Sequence, residues 1–346
     1  MRDANPLRLP VHYDARAGVL PAWDPTGTRL ALVAREGLVV LHVRGPEVRV
    51  LGGPRSCPRS IAWSPDGDTL AVAYDDRDFQ RLLRVSDGVE LWQSSIGETA
   101  VDDVIWSPDG QQLVYVGNEV VVCAAGTGAT LWRRGEKRTR HVAGVDLRRD
   151  GHQIHVVEHV RIEEDRICPD EAQWSPDAEL LVARWEEAFR VLGARDGCVK
   201  AEGTVSGGVL RFTSWGEVMF EDGKNRLGKC ASHIVDRWAR TLTFSLDGRF
   251  AAAEGERHCL WVQDENGVRS LDGHPRTIKA MAWSVNGVLA TACRDGVVRR
   301  LLRSDGDLEP WARIDAEYGG LTWSPDGAHL AVCCADAVFV LPVDES

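Results

Sequence analysis

The stretch Ser60-Ile61-Ala62-Trp63-Ser64-Pro65-Asp66-Gly67 contains the basic folding unit of this 346-residue chain. Pro65 presets φ for the first central position of a type I turn, and Gly67 closes that turn. Apolar alternation precedes the turn, and the β-rich segment Thr69-Leu70-Ala71-Val72-Ala73-Tyr74 follows it. The stretch therefore predicts a hairpin of two buried strands.

Copies of this hairpin signal recur along the chain. Seven strong anchors are present, and they lie at Trp23, Trp63, Trp106, Trp174, Phe244, Trp283 and Trp323. In the clearest repeat a third and a fourth strand follow the hairpin, as Leu82-Leu83-Arg84-Val85 and Val89-Glu90-Leu91-Trp92. A period of about 40 residues with four strands in each repeat is typical of one propeller blade.

Two weaker anchors, around Leu147 and Phe212, fall between the strong ones. We predict one all-β domain over residues 1–346, a ring of four-stranded antiparallel blades. The seven strong anchors predict seven blades, and the two weak anchors would raise the number to nine. Residues 142–172 and 207–238 are then irregular blades or insertions in the ring.

These repeats resemble those of the WD40-repeat β-propeller family, at its degenerate end rich in Trp-Ser-Pro-Asp-Gly. The best match runs from Leu271-Asp272-Gly273-His274 through Trp283-Ser284 to Cys293-Arg294-Asp295-Gly296. By the family's pattern, His274 and Asp295 would pair within one blade and hold its outer strands in place. Leu301-Leu302 stands where the family's closing Trp-Asp would be. The resemblance implies a protein-interaction scaffold, or an adaptor subunit of a larger complex.

The two ends of the chain carry complementary strand signals. The last apolar segment, residues 337–341, would be the third strand of the last blade. An unpaired edge there would promote aggregation. Residues 1–12 include Leu7-Arg8-Leu9-Pro10-Val11, which we expect to supply the outer strand of that blade. We therefore predict that the N-terminal strand closes the ring.

Composition and charge argue against several classes of function. The chain carries 52 acidic and 41 basic residues, a formal net charge of −11, which disfavours binding to nucleic acid through clustered Lys and Arg. The N-terminus lacks the apolar core of a secretory signal, and residues 330–343, the longest nearly apolar stretch, are too short to cross a bilayer. Nine cysteines form no C-x-x-C pair. We therefore expect reduced thiols in a cytoplasmic protein that does not bind a membrane.

No catalytic or cofactor motif is complete in the sequence. Gly203-Thr204-Val205-Ser206-Gly207 has the wrong spacing for a nucleophile elbow, and Gly126-Thr127-Gly128 lacks the helix of a dinucleotide site. We therefore predict no enzyme and no cofactor. The alternative function is a ligand or metal sensor that uses the central channel or the histidines His152, His155 and His159. In a strand His155 and His159 would share a face, whereas His152 would lie on the other.

The loops on one face of the ring provide the candidate docking surface for a partner protein. The turns between second and third strands are mostly acidic, and the links between blades are mostly basic. Trp185, Trp238 and Tyr318 are expected in these loops, and aromatic and Arg side chains are typical of binding hot spots. The candidate residues are Asp75, Asp76, Lys137, Arg138, Arg140, Trp185, Glu186, Glu187, Arg237, Trp238 and Tyr318.

Overall fold

A computed structural model of the protein describes most of the chain. The described residues are 6–14, 19–45, 47–52, 58–74, 80–94, 101–150, 153–167, 171–185, 188–204, 209–212, 218–221, 242–244, 250–254, 258–264, 267–302, 306–316 and 318–343. They form 32 β-strands.

Seven four-stranded antiparallel sheets, here called blades 1 to 7, follow one another along the described chain. Blades 1 and 2 are β2 (Ala22–Trp23), β3 (Arg29–Ala34), β4 (Gly37–His42), β5 (Val48–Gly52), and β6 (Pro58–Trp63), β7 (Thr69–Tyr74), β8 (Gln80–Arg84), β9 (Glu90–Ser94). Blades 3 and 4 are β10 (Val101–Trp106), β11 (Gln112–Gly117), β12 (Val120–Ala124), β13 (Thr130–Arg134), and β16 (Glu171–Trp174), β17 (Leu180–Trp185), β18 (Ala188–Gly193), β19 (Val199–Thr204). Blades 5 and 6 are β22 (Leu242–Phe244), β23 (Ala251–Glu254), β24 (Leu260–Asp264), β25 (Gly267–Leu271), and β26 (Ile278–Trp283), β27 (Leu289–Cys293), β28 (Val297–Leu301), β29 (Glu309–Arg313). Blade 7 is β30 (Tyr318–Trp323), β31 (His329–Cys334), β32 (Val338–Pro342) and β1 (Leu7–Arg8).

Each strong sequence anchor is the last residue of the first strand of a blade. The prediction of four-stranded antiparallel blades is therefore confirmed, with one blade for each of the seven strong anchors in the described residues. The buried side chains of each blade pack in layers against those of its neighbours. One such layer joins blade 1 to blade 7, with Leu30 and Leu32 against Ala331 and Cys333.

The N-terminal strand β1 is the outermost strand of blade 7, as predicted. Leu7 lies opposite Val340 of β32, and the Leu9 amide donates a hydrogen bond of 2.9 Å to the Val338 carbonyl. The last blade is thus completed by residues from the other end of the chain, which closes the ring.

Tryptophan side chains join neighbouring blades. The indole Nε1 of Trp63 donates to a backbone carbonyl of blade 1 at 2.9 Å, and the same bond links blades 2 and 3 and blades 6 and 7. Trp23 donates to the Thr322 carbonyl across the closure of the ring, at 3.1 Å. Trp92 and Trp132, in outer strands, donate in the other direction to carbonyls of the following blade, at 2.7 and 2.8 Å.

Because neighbouring strands are antiparallel, each blade presents its turns at two opposite ends. The turns between first and second strands and between third and fourth strands lie at one end, here called the turn face. The turns between second and third strands and the links between blades lie at the other, here called the linker face. On the turn face the Ser64 hydroxyl donates to Asp66 at 2.5 Å and accepts from the Thr69 amide at 3.0 Å, which explains the repeated Ser-Pro-Asp.

A long hairpin is inserted in the link between blades 3 and 4. It consists of β14 (Glu136–Asp150) and β15 (Gln153–Ile167), two strands of 15 residues that pair without a register shift. At about 3.3 Å per residue each strand extends about 50 Å. The weak anchor Leu147 lies inside β14, so it does not begin a four-stranded blade.

A short hairpin, β20 (Val209–Phe212) and β21 (Val218–Glu221), follows blade 4. Its first strand lies beside β16 and β17, where the first strand of a following blade would be placed. The weak anchor Phe212 ends that strand, as the strong anchors end theirs. Residues 222–241 lie outside the described residues.

Candidate protein-interaction surface

Trp185, expected in a loop of the linker face, is instead a core residue. It is the last residue of β17 and has only 2% of its surface exposed. It packs in the layer between blades 3 and 4 with Val116 and Leu192, and the Arg190 guanidinium lies 5.8 Å from the centre of its ring. The expectation of an exposed Trp185 is therefore wrong, because strand alternation continues to this position and places the side chain between blades.

Tyr318 is also buried rather than exposed. It is the first residue of β30, and its hydroxyl donates to the Ile314 carbonyl at 3.0 Å. Burial raises the pKa of the Tyr318 phenol, so the group stays a neutral donor. The expectation of a loop position for Tyr318 is wrong, because β30 begins five residues before its anchor, as the first strand of blade 6 does, and Tyr318 packs against blade 6.

The three basic candidates lie in a strand rather than in a loop. Lys137, Arg138 and Arg140 belong to β14, where Arg138 is opposite Asp165 and Arg140 is opposite Glu163 in the register. The link between blades 3 and 4 is thus a paired hairpin at this point. The remaining candidates lie outside the described residues: Asp75, Asp76, Glu186, Glu187, Arg237 and Trp238.

The register of the long hairpin divides its residues between two faces. Its register places the odd-numbered residues of β14 on the same face as the even-numbered residues of β15. That face carries a largely apolar set in its distal half: Ala143, Val145, Leu147, Ile154, Val156, Val160 and Ile162. The positions of the opposite face include, near its base, Arg138 opposite Asp165 and Arg140 opposite Glu163 in the register. β14 and β15 contact each other along their whole length, and neither makes a comparable contact with any other described strand.

From the sequence, residues 142–172 were predicted to be an irregular blade or insertion but were not identified as a hairpin, although two signals for it were present. The distance from Trp106 to Trp174 exceeds one blade period by about 28 residues, by comparison with the period near 40. Residues 143–148 and 159–162 also alternate between apolar and polar or small types, which is the pattern of a half-buried strand. The alternation was obscured because Leu147 falls where a blade anchor was due.

The pair expected from the family pattern, His274 with Asp295, is not formed directly. His274 Nε2 shares a hydrogen bond of 2.9 Å with the Thr291 hydroxyl, and Asp295 accepts hydrogen bonds from Arg299 at 2.5 and 3.1 Å. The predicted contact is wrong because the fixed cation of Arg299 takes the carboxylate. Burial and the Arg299 charge lower the pKa of His274 to about 4, so this histidine is neutral at pH 7.

The histidines of the alternative metal site lie on the long hairpin or outside the described residues. His155 and His159 belong to β15, opposite Arg148 and Gly144, and the register places them on one face. His152 lies outside the described part of the chain. Among the residues that are described, no group of three or more His, Cys, Asp or Glu side chains could hold a metal ion.

Comparison with known proteins agrees with this architecture. The model of the family described as "WD domain, G-beta repeat" matches residues 45–79 and 266–299. Two segments of this β-propeller thus match the WD40-repeat model. The first matched segment runs from β5 into blade 2, and the second from β25 through most of blade 6.

Two solved structures are similar to this β-propeller over nearly all of its length. One is the Cps50 (Swd1) β-propeller domain of Myceliophteria thermophila, with a TM-score of 0.56, 13% sequence identity, and 99% of each chain covered. The other is a chain in the crystal structure of the mitotic checkpoint complex, with a TM-score of 0.56, 13% identity, and coverage of 99% of this chain and 91% of that chain. No curated protein matches the sequence. Within the described residues, no helix is long and apolar enough to cross a membrane.

Proposed function

We propose that this β-propeller is a non-catalytic scaffold or adaptor subunit of a multi-protein complex in the cytoplasm. Its partner protein docks on the linker face, where the long hairpin is inserted. The seven blades supply a rigid support, and the hairpin supplies the surface that the partner recognises. Support for a protein partner also comes from the second similar structure, which is a chain of the mitotic checkpoint complex.

The observation that carries this proposal is the isolation of the long hairpin. A two-stranded sheet without further strands or a packed helix is marginally stable in water. Here the two strands of 15 residues make no comparable contact with another described strand. Long exposed edges and an apolar face favour association. A partner that covers the apolar face would stabilise the hairpin and bind the propeller in one step.

The charge pattern of the hairpin favours a protein partner over nucleic acid. The strand β14 carries three of the basic candidates, and the base of β15 carries Glu163 and Asp165 opposite two of them. Both signs are thus present on one short segment. Mixed charge of this kind gives specificity and faster association with a protein surface of complementary pattern. The acidic residues of the hairpin would repel a phosphate backbone.

Affinity purification of the intact chain from its source cells, with quantification of stoichiometric partners, tests the proposal. Replacing residues 136–167 with a short Gly-Ser linker removes the hairpin and should abolish partner recovery. The double variant Val145→Ser/Val156→Ser changes only the apolar face and should reduce recovery strongly. The matched control is Val142→Ser/Val157→Ser, which makes the same chemical change on the opposite face and should leave recovery intact.

Each variant is first compared with the intact chain by thermal unfolding, so that loss of the propeller is not mistaken for loss of binding. Equal recovery from the intact chain and the hairpin deletion would disprove docking at the hairpin. An intact chain that stays monomeric and carries no stoichiometric partner would disprove the scaffold function itself.

A further inference from the structure

On the turn face, one side chain in each of blades 1, 5 and 7 covers the anchor tryptophan of the next blade. Its position lies at or just before the start of the second strand. In blade 1 it is Arg29, whose guanidinium lies 4.7 Å from the centre of the Trp63 ring. In blade 7 it is His329, whose ring centre lies 6.0 Å from that of Trp23. In blade 5 it is Phe250, whose ring stacks on that of Trp283 in blade 6 with 5.5 Å between the ring centres.

The contact between blades 1 and 2 shows how this gap holds a guanidinium. Arg29 Nη2 donates to the Gly67 carbonyl at 2.7 Å, and its Nε donates to the Asp24 carboxylate at 3.0 Å. The guanidinium is thus stacked on an indole, bonded to a turn carbonyl and paired with a carboxylate. These are the three interactions that select Arg over Lys at a protein site.

The gap between blades 2 and 3 has no arginine at this position, and Ser64 stands at the position of Asp24. Thr69 occupies the position of Arg29, and its short side chain leaves a cavity of about 460 Å³. The cavity is lined by Ser64, Pro65, Asp66, Thr69, Leu82, Trp106, Asp109, Gly110, Gln111, Ala125 and Gly126. In the gap that Arg29 fills, the remaining cavity is about 220 Å³. The two cavities overlap in only part of their lining, at Arg29 and Thr69, at Val40 and Leu82, at Val85 and Ala125, and at Ser86 and Gly126, and of the two only the larger is also lined by the anchor tryptophan and turn glycine of the next blade.

The turn glycine of the second gap also has more free space around it than the turn glycine of the first gap. A Cβ atom on Gly67 would approach Arg29 Nη2 to 2.8 Å, whereas a Cβ atom on Gly110 would meet nothing nearer than Pro65 Cδ at 3.7 Å. Gly110 is the counterpart of Gly67. The space that the Arg29 guanidinium occupies beside Gly67 is therefore open beside Gly110.

The cavity is acidic. Asp66 and Asp109 are among its lining residues, and none of those lining residues is Lys or Arg. The Ser64 hydroxyl and the Asp68 amide donate to Asp66 and hold the pKa of its carboxyl below the usual range. Asp66 therefore carries a negative charge at neutral pH, two residues after Ser64, the counterpart of Asp24.

We propose that this cavity over Trp106 is a docking site for an arginine side chain of a partner protein. The arginine enters from the turn face, stacks on Trp106, bonds to the Gly110 carbonyl and pairs with Asp66. The site lies at the end of the ring opposite the linker face. The propeller thus contacts partners at two separate surfaces, and this second surface does not depend on the hairpin.

The test uses the full chain labelled with ¹⁵N and follows its 13 indole resonances by NMR. The probe is the peptide acetyl-Gly-Arg-Gly-amide, and the matched probe carries citrulline, the neutral isostere of arginine. The Trp106→Phe variant identifies the Trp106 resonance. We expect the arginine peptide to shift that resonance selectively and saturably, and the citrulline peptide to bind at least about tenfold more weakly because charge pairing is lost.

Three variants separate this site from the rest of the turn face. Thr69→Arg supplies the missing arginine from within the chain and should abolish peptide binding. Asp66→Asn should weaken binding about tenfold through loss of the charge. Asp177→Asn makes the same change in the equivalent turn of blade 4, where Ser175 donates to Asp177, and should leave binding unchanged.

An unmoved Trp106 resonance, equal binding of the citrulline peptide, or unchanged binding by Asp66→Asn would each overturn the proposal. Free arginine that binds as tightly as the peptide would overturn the assignment to a partner protein, since the occupant would then be a small molecule. If Thr69→Arg fails to fold, the comparison of Asp66→Asn with Asp177→Asn still gives the result. Because these variants do not alter the hairpin, failure here leaves the test of the linker face independent.

Discussion

Replacing Gly128 with Ala should strongly destabilise the contact between blades 2 and 3. Gly128 lies in the turn before β13 with a φ of +69°, in the left-handed region. A Cβ atom there would lie 2.8 Å from Cε3 and 2.9 Å from Cδ2 of Trp92. The same indole donates its Nε1 hydrogen to the Ala125 carbonyl at 2.7 Å, so the ring has little freedom to move away.

Two costs add in this variant. A residue with a Cβ atom in the left-handed region costs about 1–2 kcal/mol relative to Gly, and overpacking of a well-packed contact costs about 1–3 kcal/mol. We therefore expect the free energy of unfolding to fall by about 2–5 kcal/mol. Gly126 provides the matched control in the same turn, because its Cβ atom would meet nothing within 4 Å. Gly126→Ala should be neutral or stabilise by up to about 1 kcal/mol.

Urea unfolding at 25 °C measures both variants, together with Gly128→Ala in a Trp92→Ala background. Removing the indole should relieve the overpacking and leave only the backbone cost, so the Gly128→Ala effect should shrink by about 1–3 kcal/mol in that background. Equal stability of Gly128→Ala and Gly126→Ala would refute the reasoning. An effect that is the same in both backgrounds would refute the assignment of the clash to Trp92.

Three further predictions concern the closure of the ring, a buried histidine and one contact between blades. Deleting residues 1–12 removes β1 and the bond from the Leu9 amide, and it should lower the midpoint of thermal unfolding; an unchanged midpoint would argue against the closure. His274 has its pKa lowered to about 4 by burial and the Arg299 charge, so the unfolded chain binds this proton before the folded one does. Stability should therefore fall by up to about 3 kcal/mol between pH 6.5 and pH 4, and His274→Phe should flatten that part of the pH profile of urea unfolding. Trp132→Phe loses the indole bond of 2.8 Å to blade 4 and should cost about 1 kcal/mol in the same urea assay; an unchanged midpoint would show that the bond contributes nothing.

Most of the architecture could be predicted from the sequence because it depends on local signals that repeat. The Ser-Pro-Asp-Gly turn satisfies its own polar groups, as Ser64, Asp66 and Thr69 show, and each copy therefore folds in the same way. The closing strand was predictable for a different reason. The last blade lacked an outer strand, and the segment around Leu7 was the apolar candidate left over at the other end of the chain.

The candidate site was predicted less well, because exposure is not a local property. Trp185 and Tyr318 were placed in loops by counting from the repeat. Both instead lie at the ends of strands, where the neighbouring blade covers them. The long hairpin was missed because its alternation has the same period as that of a blade strand. Only its pairing over 15 residues, without further strands beside it, distinguishes the two.

The amino-acid sequence by itself determined the blade, the number of strong repeats and the closure of the ring, since turns and strand alternation act within about 40 residues. What only the tertiary structure decided is which side chains meet between blades. Arg29 covers Trp63, whereas Thr69 leaves a cavity over Trp106, and these partners lie a whole blade apart along the chain. Their contact exists only because the ring brings consecutive blades face to face, and that is why the surfaces proposed for binding could not be read from the repeat alone.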